Sequence, residues 1–448
     1  MNDVTATGTD LKEVLRAGRQ RAANLTGTPA WLEQVRERGA AEFAGLPLPD
    51  RRQEAWRYTS IGFLDQATYR PMREQSFDAL QPADIEDLLL QDSDALRLVF
   101  VNGHLAASLS TVPGTNDGIL VGSLQGMADN LPQVLRDQLD AITAHRTVFT
   151  ALNSALMSDG ALIHVPRAHD AGRPIEILHI GVGMDEPAIV HPRHLIVVDP
   201  GARVEVIERY CGLGDGVYFN NALIEVALGE DSQLVHGRLQ EESRNAQHLS
   251  DLQVRLAAGS RYRLVQASLG GAWSRTEVHV DFTGEGAEAE LDGLMLARDR
   301  QLTDVHLSVQ HKVPHCTSRE TFKGILDGSG RVVFDGHIVV ARDAQKSDAV
   351  LANDNLMLSR AAEVDTKPQL EIYADDVKCS HGTTVGELDS DMLFYLRSRG
   401  IGEAKARQML CHGFAQEVLD RIDHAPLRAR AATLLSQRLL ETLQDDEV

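Results

Sequence analysis

The distribution of apolar and polar positions divides the chain into three stretches. In the first, Trp31, Val35 and Phe43 recur at helical spacing behind Thr28 and Pro29, a pair that reads as N-cap and first helical position. The polar segment Leu11 to Asn24 also reads as helix, and Pro47 and Pro49 end this part. From about Leu98 to Tyr373 the pattern changes to short β-branched or leucine-rich runs divided by Gly, Asp and Asn, which predicts strands. After Thr384 helical spacing returns. Asp389 N-caps a short helix ending at Gly400, and two amphipathic helices follow. One presents Ala406, Leu410, Phe414, Val418 and Ile422; the other presents Leu427, Ala431, Leu435, Leu439 and Leu443.

One unit recurs in the middle stretch: an apolar strand, a glycine turn, then a strand of alternating polarity, as in LIVVDPGARVEVI, IEVALGEDSQLVHG, VRLAAGSRYRLVQA and VDFTGEGAEAELDG. The turn glycines Gly201, Gly229, Gly259 and Gly286 lie 28, 30 and 27 residues apart. Such spacing predicts stacked coils that bury a face only against their neighbours, with Leu234 and Val265 among the interior residues. An antiparallel sandwich shares the strand content, although tight hairpin signals are sparse. The expectation is a mainly β protein: an N-terminal helical region over residues 1–97, a parallel β-helix core over 98–388 and a small helical domain over 389–448. That last domain would cap the final coil or dock a partner.

Charge narrows the partners. With 65 acidic against 44 basic residues the net charge is −21, which argues against nucleic acid and anionic membranes and leaves proteins or small molecules. No apolar run approaches the roughly 20 residues of a bilayer span, and Met1 to Asp10 lacks the apolar region of a signal peptide, so a cytoplasmic location is expected. Cys211, Cys316, Cys379 and Cys411 are far apart without a CxxC, which points to reduced thiols. No phosphate loop, nucleophile elbow, zinc helix or dinucleotide turn occurs, so any ATP must be bound by another chain. Gly212, Gly214 and Gly216 read as a turn between strands.

Two histidine-bearing segments carry candidate chemistry. His306, His311 and His315 cluster near Cys316 in VHLSVQHKVPHC, but Pro314 excludes a regular helix, and on an extended chain His311 and His315 would sit about 13 Å apart. In DDVKCSHGTT, Cys379 and His381 would share one strand face with Cα atoms about 6.6 Å apart, close enough to converge on one soft metal. Two ligands are half a site, since zinc or an iron-sulfur cluster takes about four. A buried structural cysteine is the alternative reading of Cys379.

The segments VFDGHIVVARDAQKSDAVLANDNLMLS, PQLEIYADDVKCSHGTTVGELDSDMLFYLRSRGI and ARQMLCHGFAQEVL resemble the SufB/SufD family of iron-sulfur assembly proteins. EAWRYT, FTALNSAL and DDVKCSHG look like its SufD branch. The resemblance implies a right-handed parallel β-helix and a non-catalytic scaffold that pairs with SufB through the β-helix. It also implies docking of the SufC ATPase on the helices from Asp391 through Ile422, with Phe394, Tyr395 and Arg399 as candidate contacts. By the same resemblance His381, with Cys379 two residues before it, lies where a transient iron-sulfur cluster forms between SufB and SufD; no stably bound cofactor is implied. A homodimer of the isolated chain stays open. Cys316 departs from the family, whose members often carry Thr there. The rival readings are a SufB-type subunit of the same machine and a β-helix carbohydrate-active enzyme. Against the latter stand an aromatic content of only 5% and three tryptophans, too few for sugar platforms along a groove.

Overall fold

From Arg193–Val198 to Lys378–Glu387 the strands fall alternately into two sheets, so each pairs with the strand one coil away and not with its neighbour in sequence. The computed structural model describes residues 8–22, 28–72, 80–111, 118–184 and 186–445. Sheet I runs through Arg193–Val198, Tyr218–Leu228, Gln247–Leu256, Trp273–Phe282, Leu302–His311 and Arg331–Val340 to Glu363–Ile372. Sheet II runs through Arg203–Leu213, Gln233–Glu241, Arg261–Ser268, Glu288–Ala297, Thr317–Leu326 and Asp348–Met357 to Lys378–Glu387. Every ladder along these paths is parallel. The fold is thus a parallel β-solenoid and not the sandwich.

The turns from sheet I to sheet II explain the glycine spacing. Two residues before six of these seven sheet II strands, all but the last, the chain adopts a left-handed conformation, at Gly201, Asp231, Gly259, Gly286, His315 and Lys346, with φ between 54° and 71°. The N–H of each donates to a carbonyl in the turn of the following coil, as Gly201 does to Glu230 at 2.8 Å and His315 does to Gln345 at 2.9 Å. Gly229 is not one of these positions. It is glycine because a Cβ there would come within 2.6 Å of the Pro200 nitrogen.

Between the sheets the strands bury alternate side chains, among them Val206, Leu234, Leu264, Leu291, Phe322, Phe334 and Leu351. Leu234 stands where expected, but Val265 points outward. It joins Ile207, Leu239 and Leu294 under Cys411, Ala415, Val418, Leu427 and Ala431 of the C-terminal helices. Those helices, Glu403–Leu419 and Ala425–Asp445, therefore lie along the outer face of sheet II instead of capping the final coil. The buried face of the first is also rotated from the expected one: Cys411, Ala415 and Leu419 replace Leu410 and Phe414, which are half-buried. On the second, Leu427, Ala431, Leu435 and Leu439 are buried as expected, while the Leu443 side chain lies outside the described residues.

Sheet I is covered by the N-terminal elements. Helices Leu11–Ala22, Ala30–Gly45 and Val148–Leu156 and the segment around Trp56 and Phe63 pack on Phe219, Leu249 and Trp273. Pro29, in extended conformation, is the N-cap of the helix that starts at Ala30, one residue later than its sequence suggests; Asn24 lies outside the described residues. Arg193, fully buried, fastens this layer. It donates to Glu225 at 2.6 Å, Asp140 at 3.2 Å and Ser154 at 2.9 Å, and Glu225 accepts the backbone N–H groups of Asp140, Ile142 and Thr143.

The two ends of the solenoid differ. At the start, Leu120–Ser123 and His104–Leu105 close the sheets as antiparallel partners of Ala161–Val165 and Leu96–Val101. At the finish, Glu363–Ile372 and Lys378–Glu387 have no further described strand beside them and are almost wholly exposed or half-buried.

Candidate functional site

The open final coil carries the first candidate pair. Strand Lys378–Glu387 pairs with Asp348–Met357 in unbroken register, which places Cys379 beside Ala349 and His381 beside Leu351. Ala349 and Leu351 both face the space between the sheets, so Cys379 and His381 share that face, as the alternation of a strand without a bulge requires. Cys379 is half-buried against the interior cluster and His381 is exposed. Burial pushes the Cys379 thiol up, and nearby Asp348 and Glu320 push the same way. The isolated chain thus leaves this cysteine as a thiol; deprotonation at neutral pH needs a metal or a cation from outside.

Two coils deeper in the same row as His381 lies Glu320, beside Leu351. It is 1% exposed, and neither carboxyl oxygen has a hydrogen-bond partner of normal geometry. The Ser318 hydroxyl, which could serve it, is engaged with His311 Nε2 at 3.0 Å. Burial raises the Glu320 carboxyl to about 8. No motif announces it; the only signal is an acidic residue at inward parity in the strand TSRETFKGIL. The same signal marks a polar patch inside earlier coils, where Glu208 accepts from Arg238 at 2.9 Å and meets His236 at 3.1 Å, and His179 meets His194 at 2.9 Å and stacks on Tyr210.

The His306, His311 and His315 cluster is dispersed. His306 joins Asp304 at 3.0 Å on the outer face of sheet I, His311 is buried and stacked on Phe282, and His315 is a left-handed turn residue. Cys316 is buried among interior side chains, its Sγ donating to the carbonyls of Gly284 and Pro314 at 3.4 and 3.5 Å, which gives the additional thiol a structural place.

The third candidate surface is the helix Ser390–Ser398. Asp389 caps it, accepting from Asp391 and Met392 N–H at 2.8 and 3.0 Å, and Gly400 ends it at φ 83°. It buries none of its residues. Phe394 is 72% and Tyr395 55% exposed, Met392 and Met409 add to the apolar surface, and the Arg399 guanidinium lies 5.0 Å from the Tyr395 ring centroid. Large apolar side chains grouped in solvent mark an interaction surface.

Comparison with known proteins assigns this architecture. A profile described as the SUF system FeS cluster assembly, SufBD core domain, matches residues 180–414, from the second solenoid coils into helix Glu403–Leu419. A second, the SufBD protein N-terminal region, matches residues 18–177. The chain belongs to the SufBD family of iron-sulfur cluster assembly proteins. Within the SufBD family it is 34% identical to the Escherichia coli (strain K12) iron-sulfur cluster assembly protein SufD, over 88% of this chain and 89% of the relative. It is 33% identical to the Synechocystis SufBD family protein slr0076 over 96% of both chains, and 29% identical to the Arabidopsis thaliana protein ABCI7, chloroplastic, over 93% and 89%. Two segments that carry the family resemblance meet on sheet I: the Trp56 ring of EAWRYT lies 5.7 Å from Phe149 of FTALNSAL, and Trp56 also lies under the Arg275 guanidinium. Among the described residues no helix is long and apolar enough to cross a membrane.

Proposed function

We propose that this SufBD family member is a non-catalytic, cytoplasmic scaffold whose open final coil pairs with the corresponding part of a SufB subunit and whose exposed helix Ser390–Ser398 docks the SufC ATPase. The observation that carries the reading is the uncovered end of both sheets, with Cys379 and His381 on its inward row. Two unpaired ten-residue strand edges offer backbone donors and acceptors that a second solenoid can complete. Pairing there places His381 at the contact, where its neutral imidazole supplies one ligand to a transient iron-sulfur cluster while SufB thiolates complete the set. The cluster is cargo and leaves with a carrier.

The test combines association and output. Co-expressed with SufB and SufC, the chain should copurify with both; Phe394→Ala with Tyr395→Ala should lose SufC and keep SufB. Point substitutions serve better than removal of residues 389–448, which would strip the cover from Leu239, Val265 and Leu294. His381→Ala should assemble normally yet lower cluster production in cells. Normal production from an assembled His381→Ala complex overturns the role of His381, and failure to recover SufB overturns the pairing.

A further inference from the structure

Away from both surfaces, the outer face of sheet I holds a group of side chains that neither the pairing nor the docking uses. We propose that His145, Asp251, Glu277 and His279 form a binding site for one divalent transition-metal cation, held by nitrogen and oxygen donors. The four offer ligand atoms that all lie within 4.8 Å of one another. Register brings three of them together: Asp251 is the lateral neighbour of Glu277, and His279 stands two residues along the same outward row. His145 arrives from the loop before helix Val148–Leu156, its ring 4.2 Å from that of His279.

The separations suit a shared ion better than direct pairing. His279 Nε2 lies 3.5 Å from Glu277 Oε2 and 4.0 Å from Asp251 Oδ1, and His145 Nδ1 lies 4.0 Å from Glu277 Oε2. Only the first approaches hydrogen-bond range, and His279 Nε2, although buried, has no hydrogen-bond partner. Donors 2.0 to 2.2 Å from a four-coordinate ion sit roughly 3.3 to 3.6 Å from one another, so a contraction of at most about 1.5 Å between any two donors closes the set. His145, the exposed member, can supply most of it.

The supporting contacts are those of a built site. Gln253 donates to Asp251 Oδ1 at 2.7 Å, and its carbonyl oxygen accepts from the backbone N–H of Ala144 and His145 at 3.0 and 3.1 Å, tying the loop to the sheet. Arg275 occupies Glu277 Oε1 at 2.8 Å, which leaves Oε2 facing the imidazoles, and its charge is matched by Asp304 at 2.5 Å. Such outer contacts fix ligand orientation. Access is open: the group borders a groove of about 620 Å³ lined also by His306, Asp335, His337 and Glu371. Two imidazoles with two carboxylates and no thiolate suit Fe²⁺, Zn²⁺, Mn²⁺ or Co²⁺.

The test uses the full-length protein, reduced and metal-free, titrated with Co²⁺ and read by visible absorption, with circular dichroism to confirm folding. One Co²⁺ per chain is expected, with ligand-field bands and no thiolate charge-transfer band. His279→Ala should abolish the bands, His145→Ala should weaken binding at least about tenfold, and Gln253→Ala about 10- to 100-fold through the ligands it orients. His337→Ala, in the same groove but outside the set, should change nothing, and the Cys379→Ala, His381→Ala double variant should bind normally. The proposal is overturned if the bands survive in folded His145→Ala at wild-type affinity, or disappear in the double variant. His145→Ala decides the matter even where His279→Ala fails to fold, because His145 is exposed.

Discussion

Replacing Glu320 by Gln should stabilise the protein at neutral pH and leave it unchanged in acid. The carboxyl is buried without a hydrogen-bond partner of normal geometry, and burial raises it from 4.5 to about 8. In the folded chain at pH 7.5 it is mostly protonated, whereas in the unfolded chain it is ionised. A group whose folded value is raised contributes fully below its unfolded value, and that contribution fades as pH rises toward the folded value. At pH 7.5, about three pH units above the unfolded value, the cost is about 4 kcal/mol at roughly 1.4 kcal/mol per pH unit. The amide of Gln has the carboxyl's shape and no charge to neutralise, so Glu320→Gln should recover most of that figure at pH 7.5 and almost none at pH 4.5. Urea unfolding of both proteins at the two pH values, followed by far-ultraviolet circular dichroism, measures the difference. An equal effect at both pH values, or a loss of stability at pH 7.5, would refute the reasoning. A stabilising substitution here would also mean that the carboxyl beneath Leu351 and His381 is not retained for folding.

Three further outcomes follow from the packing. Arg193→Met removes the cation shared by Glu225 and Asp140, and because Arg146 and backbone donors still serve those carboxylates, the loss should lie near the lower end of the 3 to 5 kcal/mol typical of a broken buried pair; hydrogen exchange should show the loop 140–147 opening first. Burial holds His191 at about 3 and His194 and His311 at about 4, so the stability they contribute is present above about pH 6.5 and is lost as pH falls toward those values. Each should cost roughly 2 kcal/mol between pH 7.5 and pH 5, and His311→Gln should flatten the acid side of a pH–stability curve. Leu234→Asp should unfold the coils, whereas Val265→Asp should free the C-terminal helices and expose their protease sites while sheet signal persists.

The solenoid was legible because its coils repeat and its glycines punctuate them, but only half of the left-handed turn positions are glycine; Asp231, His315 and Lys346 hold the same conformation, and His315 consequently looked like chemistry. The shared face of Cys379 and His381 followed from strand alternation alone, and the exposure of Phe394 and Tyr395 agrees with the helix read from Asp389 to Gly400. The outward direction of Val265 was not legible. Its strand is buried on both faces, so burial no longer distinguishes inside from outside. The group of His145, Asp251, Glu277 and His279 was invisible for another reason: its members come from one loop and two strands, 134 residues apart at the widest in sequence, and only lateral register gathers them.

The unlike ends of the solenoid also limit how many chains can join. A stack with two bare ends could add molecules without limit, head to tail, into a fibre. Here antiparallel strands of only four and two residues finish the starting end, whereas among the described residues the last coil presents two ten-residue edges. Two such chains meeting at their bare ends leave no bare end behind, so growth by this contact stops at a pair, whether the second member is identical or related.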